Sequence, residues 1–346
     1  MQAMECFAGT ELPIIQAPMA GVQGSTLAIA VSNAGGLGSL PCAMLSQDAL
    51  IKELTTIAAH TDRPYNLNFF AHRPEPESAT SKSRWLEVLS PYFQEWSIHS
   101  NDIAGGPSRA PFSKAIADLI EPFRPPVISF HFGLPEPRLL QRIKSWGSLI
   151  ISTATTVDEA LWLEKQGADA IIAQGLEAGG HRGSFLNSDL NTQLGTFALL
   201  PQIIDAVDLP VIAAGGIADA KGVQAVMGLG AVAAQVGTAF LLCPEATTSE
   251  VHRLALQDSR SRPTVLTNVF SGGVARGLEN RAIRELGPIS EAAPDFPYAS
   301  SAIAPLRSAA EAAGKDDFSP LWCGQNRSGC KTLPASELTR RLAGVA

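Results

Sequence analysis

The feature that most constrains this chain is a rhythm: short apolar runs alternate with longer amphipathic stretches through its first two-thirds. The runs are 13–17 (PIIQA), 36–40 (GLGSL), 65–70 (YNLNFF), 127–132 (VISFHF), 149–153 (LIIST), 168–174 (ADAIIAQ), 211–214 (VIAA) and 231–236 (AVAAQV). Runs this short and this apolar read as strands buried on both faces. Strands that alternate with helices pair in parallel through right-handed crossovers, and eight such units can close on themselves. The sequence therefore predicts an α/β fold, a TIM (β/α)8 barrel, over residues 1–258. Hydrophobic residues make up 45% of the chain but aromatic ones only 6%, so its core must be small and aliphatic. A two-domain doubly wound sheet is the alternative; it requires the same strands to stay open.

The helices carry their own signals. Thr156-Val157-Asp158-Glu159 fits a capping box, and the helix it opens should stop at Gly167. Val223, Val226 and Met227 give one buried face to the helix after Gly216. Two segments break the repeat. Residues 71–123 are polar and hold Pro74, Pro76, Gly105, Gly106, Pro107 and Pro111, which reads as an insertion after the third strand. Residues 259–346 are rich in Gly, Pro and Ala, and a structureless tail of that length is unusual in a compact enzyme. A lid or extra helical layer over the barrel is expected there.

Charge and cysteine usage exclude several classes. With 26 basic and 33 acidic residues the net charge is −7, and no basic run offers a surface to nucleic acid or membrane. Residues 1–12 include Glu5 and Glu11 without a leader-like apolar stretch, and no apolar run is long enough to span a bilayer. Cys6, Cys42, Cys243, Cys323 and Cys330 are scattered and form no CxxC pair, which argues against a disulfide framework or a zinc site. A reduced, cytoplasmic enzyme is the expectation. No P-loop, Gly-x-Ser-x-Gly elbow or HExxH occurs, and Gly228-Leu229-Gly230 follows a helix, the wrong context for a dinucleotide fingerprint.

Barrel enzymes place their chemistry at the C-terminal strand ends and commonly hold phosphate after the seventh and eighth strands. Gly215-Gly216 and Gln235-Val236-Gly237-Thr238 stand at those two places. Glycines let main-chain N–H groups approach a phosphate, and Thr238 adds a hydroxyl; the same glycines could equally form tight turns alone. After the sixth strand, Gln174 can offer an amide to a ring edge, while Gly179 and Gly180 leave room for a flat ligand. His181 then supplies a group that can change charge near neutral pH. Asn68, buried in the third strand, needs a polar partner that a cofactor edge or a neighbouring strand could supply. Met19 suits packing against a flat ring. His131 is a second candidate near substrate and His72 a weaker one, whereas His60, His99 and His252 read as surface residues.

Together these residues resemble the nitronate monooxygenases, formerly 2-nitropropane dioxygenases, of the bacterial class I group. The resemblance rests on PIIQAPMAGV (13–22), SNAGGLGSL (32–40), NLNFFAH (66–72), SFHFGLP (129–135), AQGLEAGGHRG (173–183), LPVIAAGGIAD (209–219), QVGTAFLLCPEA (235–246) and FSGGVARGLENR (270–281). It implies FMN as cofactor, contacted by Asn68, Gln174, Gly179, Gly216, Gln235, Val236, Gly237 and Thr238, with Met19 near the ring. His181 matches the family's active-site histidine. The implied reaction converts an alkyl nitronate and O2 to a carbonyl compound and nitrite without nicotinamide. A protonated His181 would balance the nitronate charge; a neutral one could take the α-proton of a nitroalkane. The tail would put Tyr298 over the substrate, with Ala302 and Leu306 giving a more apolar roof than is usual in the group. An NAD(P)H-dependent FMN reductase of the enoyl-ACP reductase type is the alternative on the same barrel, and a barrel that binds a phosphorylated ligand without redox chemistry is another.

Overall fold

The structure is a computed structural model that describes residues 7–73, 76–99, 103, 109–258 and 262–345. Glu5, Cys6, Pro74, Gly105, Gly106 and Pro107 lie outside the described residues. The barrel strands are β1 (Ile14–Gln16), β2 (Gly38–Pro41), β3 (Tyr65–Phe70), β4 (Val127–His131), β5 (Leu149–Ala154) and β6 (Ala170–Gln174). After a two-residue β7 (Gly180–His181) outside the barrel come β8 (Val211–Ala214) and β9 (Ala233–Val236). All eight barrel strands run parallel in the order β1-β9-β8-β6-β5-β4-β3-β2. The two edges then meet: Ile15 bridges Leu37, with Gln16 N–H on the Leu37 carbonyl (2.9 Å) and Leu37 N–H on that of Ile14 (2.8 Å). That contact excludes the open doubly wound sheet.

Side chains alternate faces along a strand, and the burial clusters follow that parity. Ile15, Leu37, Val127, Ile151, Ile172 and Ile212 fill the barrel interior, with Phe7 packed against them. Their neighbours Ile14, Ile128, Ile150, Ile171, Ala213 and Val236 face the helices. A polar layer lies above the apolar plug, where Asn66 Nδ2 donates to Ser39 Oγ (3.0 Å) and Ser129 Oγ (2.9 Å). The next inward positions are Asn68, His131, Thr153, Gln174 and Gln235, and all five line the cavity at the mouth. Period-two alternation thus delivers a ring of polar groups to one end of an otherwise aliphatic tube.

Helices α1 (Ser25–Asn33) and α2 (Gln47–His60) follow the first two strands. The long segment after β3 divides into α3 (Ala79–Glu95) and α4 (Lys114–Ile120). Helix α4 packs on α2 and on α5 (Pro137–Ser145), so part of the expected insertion is the barrel's own third helix. Helices α6 (Val157–Gln166), α7 (Thr196–Ala206) and α8 (Ala220–Gly228) continue the outer ring. The capping box of α6 is only half made: Thr156 Oγ1 accepts from Glu159 N (3.3 Å), but Glu159 turns instead to Thr155 and to the N–H groups of Phe185 and Leu186. Gly167 does end the helix, with φ at +94°.

Beyond α9 (Glu250–Gln257) the chain forms β10 (Thr264–Thr267), β11 (Ala275–Leu278), α10 (Arg281–Leu286) and α11 (Ala299–Ala312). Helix α11 packs on α3 around a second core that includes Trp85, Phe270, Ile303, Leu306 and Phe318, and Trp85 Nε1 donates to the Ala299 carbonyl (3.2 Å). The last helix, α12 (Ala335–Leu342), returns to the barrel wall against α1 and α8 and buries Ala335, Leu338 and Leu342 in the barrel's own cluster. β7 joins β11 and β10 in a small antiparallel sheet that pairs His181 with Ala275. His181 therefore stands on a short strand rather than in a free loop.

Candidate active site

A cavity of about 270 Å³ opens at the C-terminal ends of the barrel strands. Met19, Asn68, His131, Gln174, Gly179, Gly180, His181, Gly215, Gly216, Gln235, Gly237 and Thr238 all line it. Gly215 and Gly216 have φ of +118° and +72°, values that only glycine adopts without strain. At Gly237 a Cβ would lie 3.3 Å from Ala17 Cβ and 3.7 Å from Met19 Sδ. The cradle is completed from the C-terminal extension: Gly324 N–H donates to Thr238 Oγ1 (2.9 Å), and Asn326 Nδ2 donates to the Gly216 carbonyl (2.9 Å). Thr238 O–H remains a donor. Gln235 Oε1 is buried with no partner among the described residues, so it calls for a donor from a ligand. A flat ring with an N–H edge and a phosphate tail meets both demands, so these residues fit a flavin nucleotide.

Gly179 is where that cradle tolerates least. A Cβ there would sit 2.5 Å from Gly324 N and 2.6 Å from Cys323 C, main-chain atoms that cannot swing aside. Gly179→Ala is expected to lower the urea unfolding free energy by about 1–3 kcal/mol and to weaken flavin retention. Gly228→Ala, where nothing lies within 4 Å, is the neutral control.

The β6–β7 connection is held from below. Arg182, 2% exposed, donates to the carbonyls of Gln174 and Gly175 (both 2.7 Å) and to Gln193. Gln174 spends both ends of its amide on this loop: Nε2 donates to the His181 carbonyl (3.0 Å) and Oε1 accepts from Gly183 N (2.9 Å). His131 does similar work. Its Nε2–H donates to the His181 carbonyl (3.2 Å), which leaves Nδ1 to accept from Thr153 Oγ1 (3.1 Å). With both nitrogens engaged, His131 positions the His181 main chain.

The His181 ring is free to act. It lies 5.4 Å from the Phe296 ring and 5.5 Å from that of Trp322. Ser271 Oγ donates to the Gly273 carbonyl (3.3 Å) and so accepts from His181 Nε2–H (2.8 Å), leaving Nδ1 as the basic atom. Burial pushes the His181 pKa down to about 3, helped by the charge of the Arg109 guanidinium. Burial likewise brings His131 and His252 down to about 4. All three are neutral in the folded protein at neutral pH.

Those depressed values set an acid limit. Unfolded histidines protonate near 6.5, so below that pH the unfolded chain binds protons that the native state refuses. Stability present above 6.5 is lost as pH falls toward about 4, by about 1 kcal/mol per pH unit for each histidine. Urea midpoints of the cofactor-free protein should drop steeply from pH 6.5 to 4.5. A flat profile would contradict the burial argument.

Several expectations need correction. Val236 does not line the cavity; strand parity turns it outward into the helix-facing core while Gln235 turns inward. Tyr298 lines a separate small cavity with Glu77, Lys82 and Trp85, away from His181. Ala302 and Leu306 are buried in the second core, and from that helix it is Arg307 and Glu311 that reach the main cavity. His252 is 3% exposed and lines the cavity, whereas His60 and His99 are exposed as expected. Sequence reasoning missed Arg109, Trp322, Gly324 and Asn326, which come from the insertion and the extension; the Gly-Gln-Asn turn chemistry at 324–326 was the available signal.

A barrel whose seventh and eighth strand ends form a glycine cradle, with a neutral histidine across the same cavity, defines a cofactor-dependent (β/α)8-barrel enzyme. The comparisons narrow the class. The family model "Nitronate monooxygenase" matches residues 2–344. A nitronate monooxygenase of Pseudomonas aeruginosa is 40% identical over 342 residues, covering 96% of each chain. The solved structure of a nitroalkane oxidase from Streptomyces ansochromogenes superposes with a TM-score of 0.89 at 39% identity, covering 97% of this chain and 95% of that one. FabK from Thermotoga maritima is more distant, with a TM-score of 0.69 at 26% identity, covering 97% and 93%. The chain belongs to the nitronate monooxygenase family.

Proposed function

We propose that this protein oxidises alkyl nitronates, and neutral nitroalkanes after deprotonation, to carbonyl compounds and nitrite with O2, using FMN. The observation that carries this reading is the single cavity shared by the Gly216 and Gly237 turns and neutral His181. Main-chain groups at those turns and Thr238 would hold the phosphate, and Gln235 would accept from the ring edge. The cofactor supplies the electron chemistry; the chain supplies orientation, charge balance and exclusion of water.

Charge balance falls to Arg109. Arg109 lines the cavity, its guanidinium donates to Ser300 Oγ (2.7 Å), and no carboxylate among the described residues acts on it. Because His181 is neutral, it takes the α-proton of a nitroalkane at Nδ1, and Arg109 steadies the anion that forms. Phe70 and Trp322 line the reacting end, and the Phe296 ring lies 5.4 Å from that of His181 with the Arg109 guanidinium 5.9 Å over it.

Native purification followed by an absorbance spectrum, and by mass analysis of the flavin released on denaturation, tests the cofactor. Anaerobic mixing then tests the reaction. A nitronate should reduce the bound flavin and NADPH should not; bleaching by NADPH alone would favour the reductase reading.

A further inference from the structure

The cavity has a polar side lobe that neither the cofactor cradle nor the proton-transfer step uses. Its walls are Thr247 and Ser249 before α9, His252 on α9, Arg307 and Glu311 on α11, and Ser319. Three of these come from the extension. The lobe is connected to the reacting end. Trp322 links the two, because its ring stands 5.5 Å from that of His181 while its main chain lies close enough to the His252 ring to act on its protonation. On the other side the Arg307 charge acts on Arg109, and that of Arg109 acts on His181.

The chemistry of the lobe is specific. His252 Nε2 is buried without a partner among the described residues, and burial keeps the ring neutral, so the imidazole has a lone pair left as an acceptor. Arg307 Nε is 2.8 Å from Glu311 Oε1, and that same oxygen accepts from Ser319 Oγ (2.7 Å). An empty acceptor beside a carboxylate repels an anionic tail. It welcomes a neutral group that donates a hydrogen bond, and the paired guanidinium can donate back to an oxygen.

We propose that this lobe is a substrate-tail subsite in which the neutral His252 ring accepts from a hydroxyl or amide N–H at the far end of the nitro compound. The preferred substrates are then hydroxy- or amide-ended nitronates, a specificity that rests on the nitronate reading above. The burial of a polar acceptor is what makes such a site selective, since a methyl-ended analogue leaves that acceptor unpaired.

The test is a series of hydroxy-ended nitronates of increasing chain length, each compared with the isostere in which a methyl replaces the hydroxyl. The holoenzyme should favour the hydroxyl member by about tenfold in kcat/KM at the chain length that reaches the lobe, mostly through KM. His252→Phe should collapse that ratio toward one, and His252→Gln, which restores an acceptor near the Nε2 position, should recover part of it. Flavin content of each variant is measured alongside. Equal rates for both members at every length in the native enzyme overturn the proposal, as does a ratio that survives His252→Phe. Loss of flavin in His252→Phe and His252→Gln with the native ratio at one assigns the residue to the cofactor instead. Failure to oxidise either series is a different result and overturns the nitronate reading itself.

Discussion

Replacing His181 by asparagine is expected to lower turnover of a neutral nitroalkane by about 10²–10⁴-fold, while turnover of the pre-formed nitronate changes far less. Two observations set the asymmetry. Burial holds the ring's pKa at about 3, so it is an empty base at any working pH. Ser271 fixes Nε2 and leaves Nδ1 for the proton. A base this weak serves only because the product of the transfer is an anion beside it: as the proton moves, the new nitronate raises the imidazole's pKa, and Arg109 stabilises the anion. The pre-formed nitronate arrives without that proton and skips the step. The sign of the pH dependence follows. Raising pH from 5 to 8 leaves free His181 neutral, so kcat/KM for a nitroalkane should show no histidine inflection in that range. An inflection near 6.5 in the native enzyme would mean that His181 is far better solvated than its surroundings require. Equal turnover of both substrate forms by native and variant enzymes would end its role as base.

The barrel was legible because its physics is local. Strands buried on both faces must be apolar throughout, and each of the eight runs met that demand within a residue or two of its observed ends. Gly215 and Gly216 were legible for a similar reason, since their left-handed φ values admit little else. Val236 was legible and misread: once Gln235 is assigned to the inside, alternation sends Val236 out. What could not be read depends on chain segments meeting across long distances. β7 is two residues long, too short for any periodicity, and exists only because β11 pairs with it. His252 sits on an eight-residue helix that looks like surface until Trp322 and α11 cover it. Arg109 lies in a polar segment whose composition says nothing of its destination.

Arg109→Met should give the second large effect, a loss of about 10–10³-fold in kcat/KM for nitronates. The substrate is an anion, and the other groups facing it are already committed or uncharged. His181 and His252 are neutral, and Arg307 is paired with Glu311 at 2.8 Å. Only Arg109 brings an unpaired positive charge to the cavity among the described residues, and a guanidinium freed from bulk water interacts more strongly with an anion than an exposed one does. Methionine keeps the length and removes the charge. The loss should appear chiefly in KM, because the anion is bound before any bond changes. Arg109→Lys should recover part of it, as a point charge without the guanidinium's two-pronged geometry. A second readout separates charge from mere packing. Arg109 is among the groups that hold the His181 pKa down, so its removal must move that pKa upward, toward 6.5. The acidic limb of the nitroalkane profile then shifts to higher pH in Arg109→Met but not in Arg109→Lys. If Arg109→Met bound nitronates as the native enzyme does and left the acidic limb in place, the anion would have to be balanced by some other group, and none of the described residues lining the cavity is free to do so.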